Sequence, residues 1–589
     1  MLTAAQKTRV VLVILGFVLA ALALWTRLCW LQVIHPNHWI TIARRQHLQM
    51  LELQPTRGSI LDRNLKPLAI SIRLTSVFVD PRHVKNPTAT AQRLAPVLNQ
   101  PVGLLQAKLS NKTKGFLWLA RRIPNQAAAQ IRAMRLPGVD VLMEPKRVYP
   151  QGYLASHVLG FAGLDAQGLE GVELAYDRLL KGEPGWRWLD RDAKRRPVGA
   201  WDGPTVAPRD GLQLVLTIDS TIQFFAEREL DRAYQERRAK GACIVVMDPV
   251  TGEVLAMANR PTFDPNQYSA LVPETHRNRC LTDTFEPGSV FKVVTAAVAL
   301  TKQMFRMDEK FFCENGAYPV AGHVLHDHEG HGWLTFPEVI MLSSNIGTVK
   351  LAMRLGPNAV YEGVKAFGFG APTGIELPGE VSGVARPPSR WSKTSITAVP
   401  IGQEITVTAI QLAQAISSIA NGGILVKPWI LREIQDHEGH LVKSFKPTIV
   451  RRVIPASVDQ QMKEILAGVI EQGTGKLAKV PGFRAAGKTG TAQKVEPTGV
   501  YSHSRFMASF MGFVPVEDPR LVIVVVVDEP HGSYYGGTVS APVFRNVAAD
   551  TLAYLQVQPS VVTPPAPPVS IPSAPAQPVE RGMVVAAGD

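Results

Sequence analysis

The chain has 589 residues, 46% of them apolar and 19% charged, with a formal net charge of +14 and a pI near 9.6. That length holds two or three domains with sizeable cores, in the composition of a globular protein with some membrane contribution. The positive balance suits a lipid surface or a cell-wall polymer; no basic block is interleaved with aromatics, which disfavours nucleic acid, and four scattered cysteines (Cys29, Cys243, Cys280, Cys313) give neither a disulfide framework nor metal-ligand spacing.

At the N-terminus, Lys7 and Arg9 precede an uncharged apolar run over residues 10–25, and a mostly apolar stretch resumes over 28–34. A helix over the first run alone reaches about 24 Å, short of a hydrocarbon core of roughly 30 Å. Carried to residue 34 it reaches about 37 Å, with Arg27 close enough to the far interface to snorkel. Ala21-Leu22-Ala23 mimics a signal-peptide cleavage site, yet the apolar pattern continues past it. The expectation is therefore an uncleaved anchor over 10–34, a cytoplasmic tail over 1–9, and the bulk of the chain outside the cytoplasm.

Residues 35–55 read as an amphipathic helix leaving the membrane, and residues 56–64 as turn residues around a short apolar core. From 65 to about 210, short strands (76–80) mix with polar helices rich in Ala, Gln and Arg (125–135), with no catalytic constellation. This half reads as a spacer or docking module. Gly168-Leu169-Glu170-Gly171-Val172-Glu173 lacks the Lys-Ser/Thr of a phosphate loop and is expected to be a structural joint. A second domain opens near residue 212, with a strand running into a helix over 222–238. Strands follow over 242–249 and 253–258, joined by Val250-Thr251-Gly252. Residues 485–493, 506–514 and the β-branched 521–527 read as strands, and 541–555 as a helix. Strands at both ends with helices between imply an antiparallel sheet completed by distant parts of the chain. Residues 557–589 are Pro-rich and low in large apolar residues, the composition of a disordered tail.

Three short motifs carry chemistry. In Phe285-Glu286-Pro287-Gly288-Ser289-Val290-Phe291-Lys292, Pro287 and Gly288 mark a turn and the following run is apolar, so Ser289 falls in the first turn of a buried helix. Lys292, three residues on, shares its face. A serine hydroxyl needs a base, and a buried lysine amine with a lowered pKa can be one; the same pair on an exposed helix would only be solvated. Met341-Leu342-Ser343-Ser344-Asn345 offers a hydroxyl that could relay a proton and a carboxamide that could bind an amide, though such residues also cap helices. In Gly487-Lys488-Thr489-Gly490-Thr491, alternation puts Lys488 and Gly490 on one strand face and Thr489 and Thr491 on the other. Gly490 is expected to open the strand to a ligand backbone, and the edge to pair with an extended peptide; a lysine-protected edge strand is the alternative. His323, His326, Asp327, His328 and His331, with Cys313 upstream, have metal-ligating side chains, but their Gly-rich, charged segment reads as a loop bordering the cleft. No metal or other cofactor is expected.

Ser-x-x-Lys, Ser-x-Asn and Lys-Thr-Gly in this order resemble the penicilloyl-serine transferases, that is, penicillin-binding proteins and serine β-lactamases. The anchor, Arg57-Gly58-Ser59-Ile60-Leu61-Asp62-Arg63-Asn64, Gly168-Leu169-Glu170-Gly171 and Tyr534-Tyr535-Gly536-Gly537 resemble class B penicillin-binding proteins over residues 8–556. Residues 285–292, 402–428 and 536–544 look most like the septal, cell-division type. The resemblance implies an α/β transpeptidase domain over 212–556, with an antiparallel five-stranded sheet between helical layers. It implies an elongated α+β, dimerisation-like pedestal over 35–211, and an inner-membrane protein with its catalytic domain in the periplasm. It also implies Ser289 as the acylated nucleophile, Lys292 as its base and Ser343 as proton shuttle. Asn345 would hold the peptide amide, and Lys488, Thr489, Gly490 and Thr491 would form the carboxylate-binding strand. The backbone N–H groups of Ser289 and Thr491 would form the oxyanion hole. Implied partners are D-Ala-D-Ala stem peptides, β-lactams, a membrane-embedded glycan polymerase and other division proteins. No glycosyltransferase motif precedes residue 212. The rival readings are an elongation-type transpeptidase, a D,D-carboxypeptidase or β-lactamase, and a non-enzymatic scaffold or β-lactam sensor.

Overall fold

The computed structural model describes residues 3–34, 48–191, 197–270, 272–496 and 498–560. Ala4–Cys29 is one α-helix that widens into a π turn over Trp30–Ile34. Together they are long and apolar enough to cross a membrane, by length and composition, and none of this surface is buried in the protein. Arg27 lies over the Trp30 ring, 4.6 Å from its centroid.

Part of the helix expected over 35–55 lies outside the described residues. The remainder is instead the strand Leu48–Leu53, antiparallel to Gly185–Arg191, which pairs in turn with Pro197–Val206. Six apolar and polar residues carry too little periodicity to distinguish helix from strand, and a partner far along the chain decides.

The first half is built on the long strand Pro67–Val79, which takes Leu117–Ile123 on one side and Val139–Val148 on the other, both antiparallel. Helices Pro87–Leu98, Val102–Ser110 and Asn125–Met134 cover one face, burying Val77 and Val79 against Leu94, Leu105 and Ile131. The sheet does not stop near residue 212. Ile60 and Leu61 pair antiparallel with Ala69 and Pro67 and parallel with Leu214 and Val215, and Gln213–Leu216 continues into Leu431–Gln435. One seven-stranded sheet thus spans both halves, so the expected spacer is hydrogen-bonded rigidly to the domain it carries.

Two sequence segments read separately meet at this joint. Glu173, fully buried, accepts Arg57 Nε and Arg147 Nε, each at 2.6 Å, and the Tyr149 hydroxyl at 3.2 Å. Arg57 also donates to the Asp177 carboxylate at 2.6 Å. Asp62 accepts the Ser220 hydroxyl at 2.6 Å, tying the same turn to the helix Ser220–Glu236.

The second half is centred on a five-stranded antiparallel sheet in the order Val254–Arg260, Gly241–Met247, Leu521–Asp528, Tyr501–Val514, Ala486–Val495. Successive side chains of one strand enter different cores. Val522, Val524 and Val526 face a layer that includes Ala409–Ala420 and the run after Ser289. Ile523, Val525 and Val527 face Ser220–Glu236 and Ala541–Tyr554. Coverage on both faces explains why the central strands Gly241–Met247 and Leu521–Asp528 are apolar almost throughout and not alternating. Ala486–Val495 has no strand on its outer side among the described residues. Of the tail expected over 557–589, residues 561–589 lie outside the described residues.

Candidate active site

Ser289 lies in a 3-10 turn, Gly288–Phe291, which leads into the α-helix Lys292–Thr301. The first turn is tighter than the α-helical one expected, and in a 3-10 turn side chains three apart eclipse, so Ser289 and Lys292 share a face. Gly288 adopts φ +58°, and a Cβ there would lie 3.0 Å from Thr491 O. Every residue from Lys292 to Leu300 is buried, as expected of a helix apolar on all sides. Ser289 is half-buried.

The Ser343 hydroxyl sits between two fully buried lysines. Lys292 Nζ donates to it at 3.2 Å and to the Ser343 carbonyl at 2.5 Å; Lys488 Nζ donates to the same hydroxyl at 2.9 Å. With both lone pairs engaged, Ser343 Oγ keeps its own proton to give. Burial pushes the Lys292 amine down to about 7, against an opposing pull from the Asp327 carboxylate. Burial, and then the Lys292 charge, push Lys488 well below the usual lysine range. Two ammonium groups bonded to one hydroxyl repel, so the resting site favours a neutral amine, and an arriving carboxylate would favour the charged form again. Ser343 itself has φ +61°, a left-handed conformation rare for serine and common at functional sites.

Asn345 begins the helix Asn345–Leu355, and Ser344 caps it by accepting Gly347 N at 2.9 Å. Asp327 supports that end, accepting Ser344 Oγ at 2.6 Å, Asn345 N at 2.5 Å and Ile346 N at 3.0 Å. A carboxylate at a helix N-terminus is electrostatically favoured. Asn345 Nδ2 donates to His326 O at 2.8 Å. The histidine segment therefore supplies a wall of the site: His326 by its backbone, Asp327 by its carboxylate, and His328 by its ring, 5.0 Å from Tyr535. Cys313 is buried beneath, its sulfur 3.4 Å from Ser344 Oγ.

On the edge strand, Lys488 reaches inward to Ser343, whereas Thr489 Oγ1 meets Thr474 Oγ1 at 2.7 Å and Thr491 Oγ1 accepts Gly536 N at 3.2 Å. The two faces are those expected from alternation. The reason for Gly490 differs from the expected one. A Cβ there would lie 2.3 Å from Ser509 Oγ, 2.9 Å from Val290 Cγ1 and 3.0 Å from Pro287 O. The backbone that approaches Gly490 so closely is that of the turn carrying Ser289. Tyr534, stacked on Phe506 at 4.1 Å, and Tyr535 flank the strand.

Ser289, Lys292, Ser343, Asn345 and Lys488–Thr491, spread over about 200 residues of sequence, thus converge on one site. Sequence reasoning missed Asp327 as a support and Thr474 altogether. Asp327 was visible only as a possible metal ligand, and Thr474 carries no local signal. A nucleophilic hydroxyl, an amine with a lowered pKa, a relay hydroxyl and an open strand edge are the parts needed for acyl transfer from an extended peptide.

The family model described as the Penicillin binding protein transpeptidase domain matches residues 242–549, and that of the Penicillin-binding Protein dimerisation domain matches residues 52–216. The chain is 39% identical to stage V sporulation protein D of Bacillus subtilis (strain 168) over 560 residues, 94% of this chain and 86% of that protein. It is 34% identical to peptidoglycan D,D-transpeptidase FtsI of Escherichia coli (strain K12) over 557 residues, 93% of this chain and 92% of that one. Among solved structures, penicillin binding protein 3 from Mycobacterium tuberculosis, complexed with aztreonam, is similar with a TM-score of 0.68 and 29% identity, covering 87% of this chain and 98% of that chain.

Proposed function

The chain belongs to the penicillin-binding protein transpeptidases, and from that premise we propose that it cross-links peptidoglycan stem peptides through an acyl-enzyme on Ser289. The observation that carries this reading is the pair of buried lysines sharing the Ser343 hydroxyl, with Lys292 pushed down to about 7. Neutral Lys292 Nζ takes the Ser289 proton as Oγ attacks the carbonyl of the penultimate D-alanine. Asn345 holds the peptide amide, the terminal carboxylate lies against Lys488, Thr489 and Thr491, and Gly490 lets that strand sit on the nucleophile turn. The backbone N–H groups of Ser289 and Thr491 take the oxyanion. Terminal D-alanine leaves as its nitrogen receives a proton by way of Ser343. An amine of a second stem then attacks the ester and frees Ser289. Penicillins acylate the same oxygen.

Labelling with a fluorescent penicillin tests this directly. Wild type should carry the label covalently and Ser289→Ala should not; uptake by Ser289→Ala would sink the assignment. Slow loss of the label separates a transpeptidase from a β-lactamase, in which water clears the ester rapidly.

The septal role rests on the likeness to FtsI. The Ala4–Ile34 helix supports a single-pass protein whose catalytic domain stands outside the cytoplasm, and the pedestal offers a surface for a membrane-embedded glycan polymerase and other division proteins. The 39% identity to stage V sporulation protein D favours a second reading, a transpeptidase of sporulation. A fluorescent fusion that gathers at mid-cell in dividing cells supports the septal role, and one seen only in sporulating cells supports the other.

A further inference from the structure

Glu286 stands three residues before Ser289, and the mechanism above does not use it. Its side chain nevertheless joins three separate pieces of the site. Oε1 accepts the Glu404 backbone N–H at 2.9 Å and the Tyr501 hydroxyl at 3.3 Å, while Oε2 is buried with no hydrogen-bond partner among the described residues. Glu404 belongs to the segment that backs the nucleophile turn. There Gly288 N donates to Gly402 O at 3.0 Å, and Phe285 and Val407 exchange N–H···O bonds at 3.0 and 2.9 Å. The approach is close: a Cβ on Gly402 would lie 2.2 Å from Gly288 O. Glu404 holds φ +57°, a left-handed conformation that a residue with a Cβ keeps only when its surroundings impose it. Glu286 Oε1 is one such constraint, and Ser395 Oγ, donating to the Glu404 carboxylate at 2.5 Å, is another. Tyr501 opens the strand Tyr501–Val514 opposite Val495, at the tip of the hairpin that carries Lys488 to Thr491.

We propose that Glu286 is a positioning residue for acyl transfer, holding the nucleophile turn at a fixed separation from the edge-strand hairpin through the reach of its side chain and not through its charge. It touches no reacting atom. Burial pushes its carboxyl above the usual range, against the two hydrogen bonds it accepts. Both of those bonds go to Oε1, so glutamine keeps the acceptor they use at the same reach. Without the tie, a ligand still meets Lys488 and the two threonines, but its carbonyl is presented off-line to Ser289 Oγ. A small misplacement of this kind slows the chemical step far more than it weakens binding.

This inference rests on the acyl-serine reading, and one experiment separates the two. Rapid-mixing kinetics with a fluorescent penicillin on the full chain in detergent give a limiting acylation rate and a half-saturating concentration. Glu286→Ala and Glu286→Asp, which lack the reach, should each lower the limiting rate by about tenfold or more, with half-saturation changed by less than about twofold. Glu286→Gln, which keeps the reach without a charge, should stay within about threefold of wild type. If Glu286→Ala fails to fold, the Asp and Gln variants decide between them. Glu286→Gln as slow as Glu286→Asp overturns the proposal, as does Glu286→Asp at the wild-type rate or a change in half-saturation alone. A wild-type chain that takes up no penicillin overturns the acyl-serine reading and this inference with it.

Discussion

Lys292 can accept the Ser289 proton only while its amine is neutral, so the rate of penicillin acylation should follow the titration of that amine. With the amine at about 7, the neutral fraction is roughly 0.09 at pH 6, 0.5 at pH 7 and 0.9 at pH 8, a tenfold rise followed by a plateau. A lysine at its ordinary value would be only about 0.3% neutral at pH 8, and its rate would still climb tenfold per pH unit at pH 9. The assay is the second-order rate of fluorescent-penicillin labelling at low ligand concentration, from pH 5.5 to 9, where the profile of the free enzyme is read. Asp327→Asn then tests the cause. The Asp327 carboxylate draws the Lys292 pKa upward, so its neutralisation should move the midpoint to lower pH. A rate still climbing at pH 9 would show an amine that burial has not depressed. A flat profile would remove Lys292 from the role of base, and a midpoint moving upward in Asp327→Asn would refute the electrostatic assignment.

The same burial has a stability consequence. Lys292 has a lower pKa in the fold than in the unfolded chain, so between about pH 7 and 10.5 the unfolded state binds a proton that the fold does not. Stability therefore rises with pH across that window, and below it the full penalty, roughly 5 kcal/mol, is present. Lys292→Met removes that penalty and loses two hydrogen bonds worth about 1 kcal/mol each, so at pH 6.5 it should be inactive yet more stable by about 2–3 kcal/mol. Melting curves at pH 6.5 and 10 check this; the advantage should vanish at the higher pH, and a variant less stable at both would contradict it. Gly490→Ala places a methyl against Pro287 O and Val290, which should cost about 1–3 kcal/mol and slow acylation by on the order of 100-fold. A labelling rate close to wild type would show that strand and nucleophile turn are not in register. Glu173→Gln leaves Arg57 and Arg147 buried without their shared carboxylate, at a cost of about 3–5 kcal/mol. Its melting temperature should fall by on the order of 10 °C, while labelling of the folded protein at room temperature persists; an unchanged melt would mean the joint is not stabilised by these ions.

What could be read from the sequence, and what could not, divides by how far each residue's partners lie along the chain. Val522 to Val527 is apolar at every position because two cores claim alternate side chains, and such a run announces a doubly covered strand without help from elsewhere. Lys488 and Thr489 likewise go to opposite faces by the two-residue period alone. Leu48 to Leu53 became a strand only because Gly185–Arg191 lies beside it, and the sheet crosses residue 212 only because Ile60 finds Leu214. Asp327 illustrates the same limit inside the site. Among histidines it resembles a metal ligand, and it becomes a helix cap once a hairpin brings it beneath Ser344 and Asn345. The Lys292 pKa is the most distributed property of all. The apolar run that follows the lysine foretold its burial, but the hydroxyl it meets, the second lysine competing for that hydroxyl and the carboxylate opposing the shift come from three other segments. Three motifs can therefore identify which side chains meet at the site, whereas the lowered pKa of Lys292 exists only after all four segments have packed.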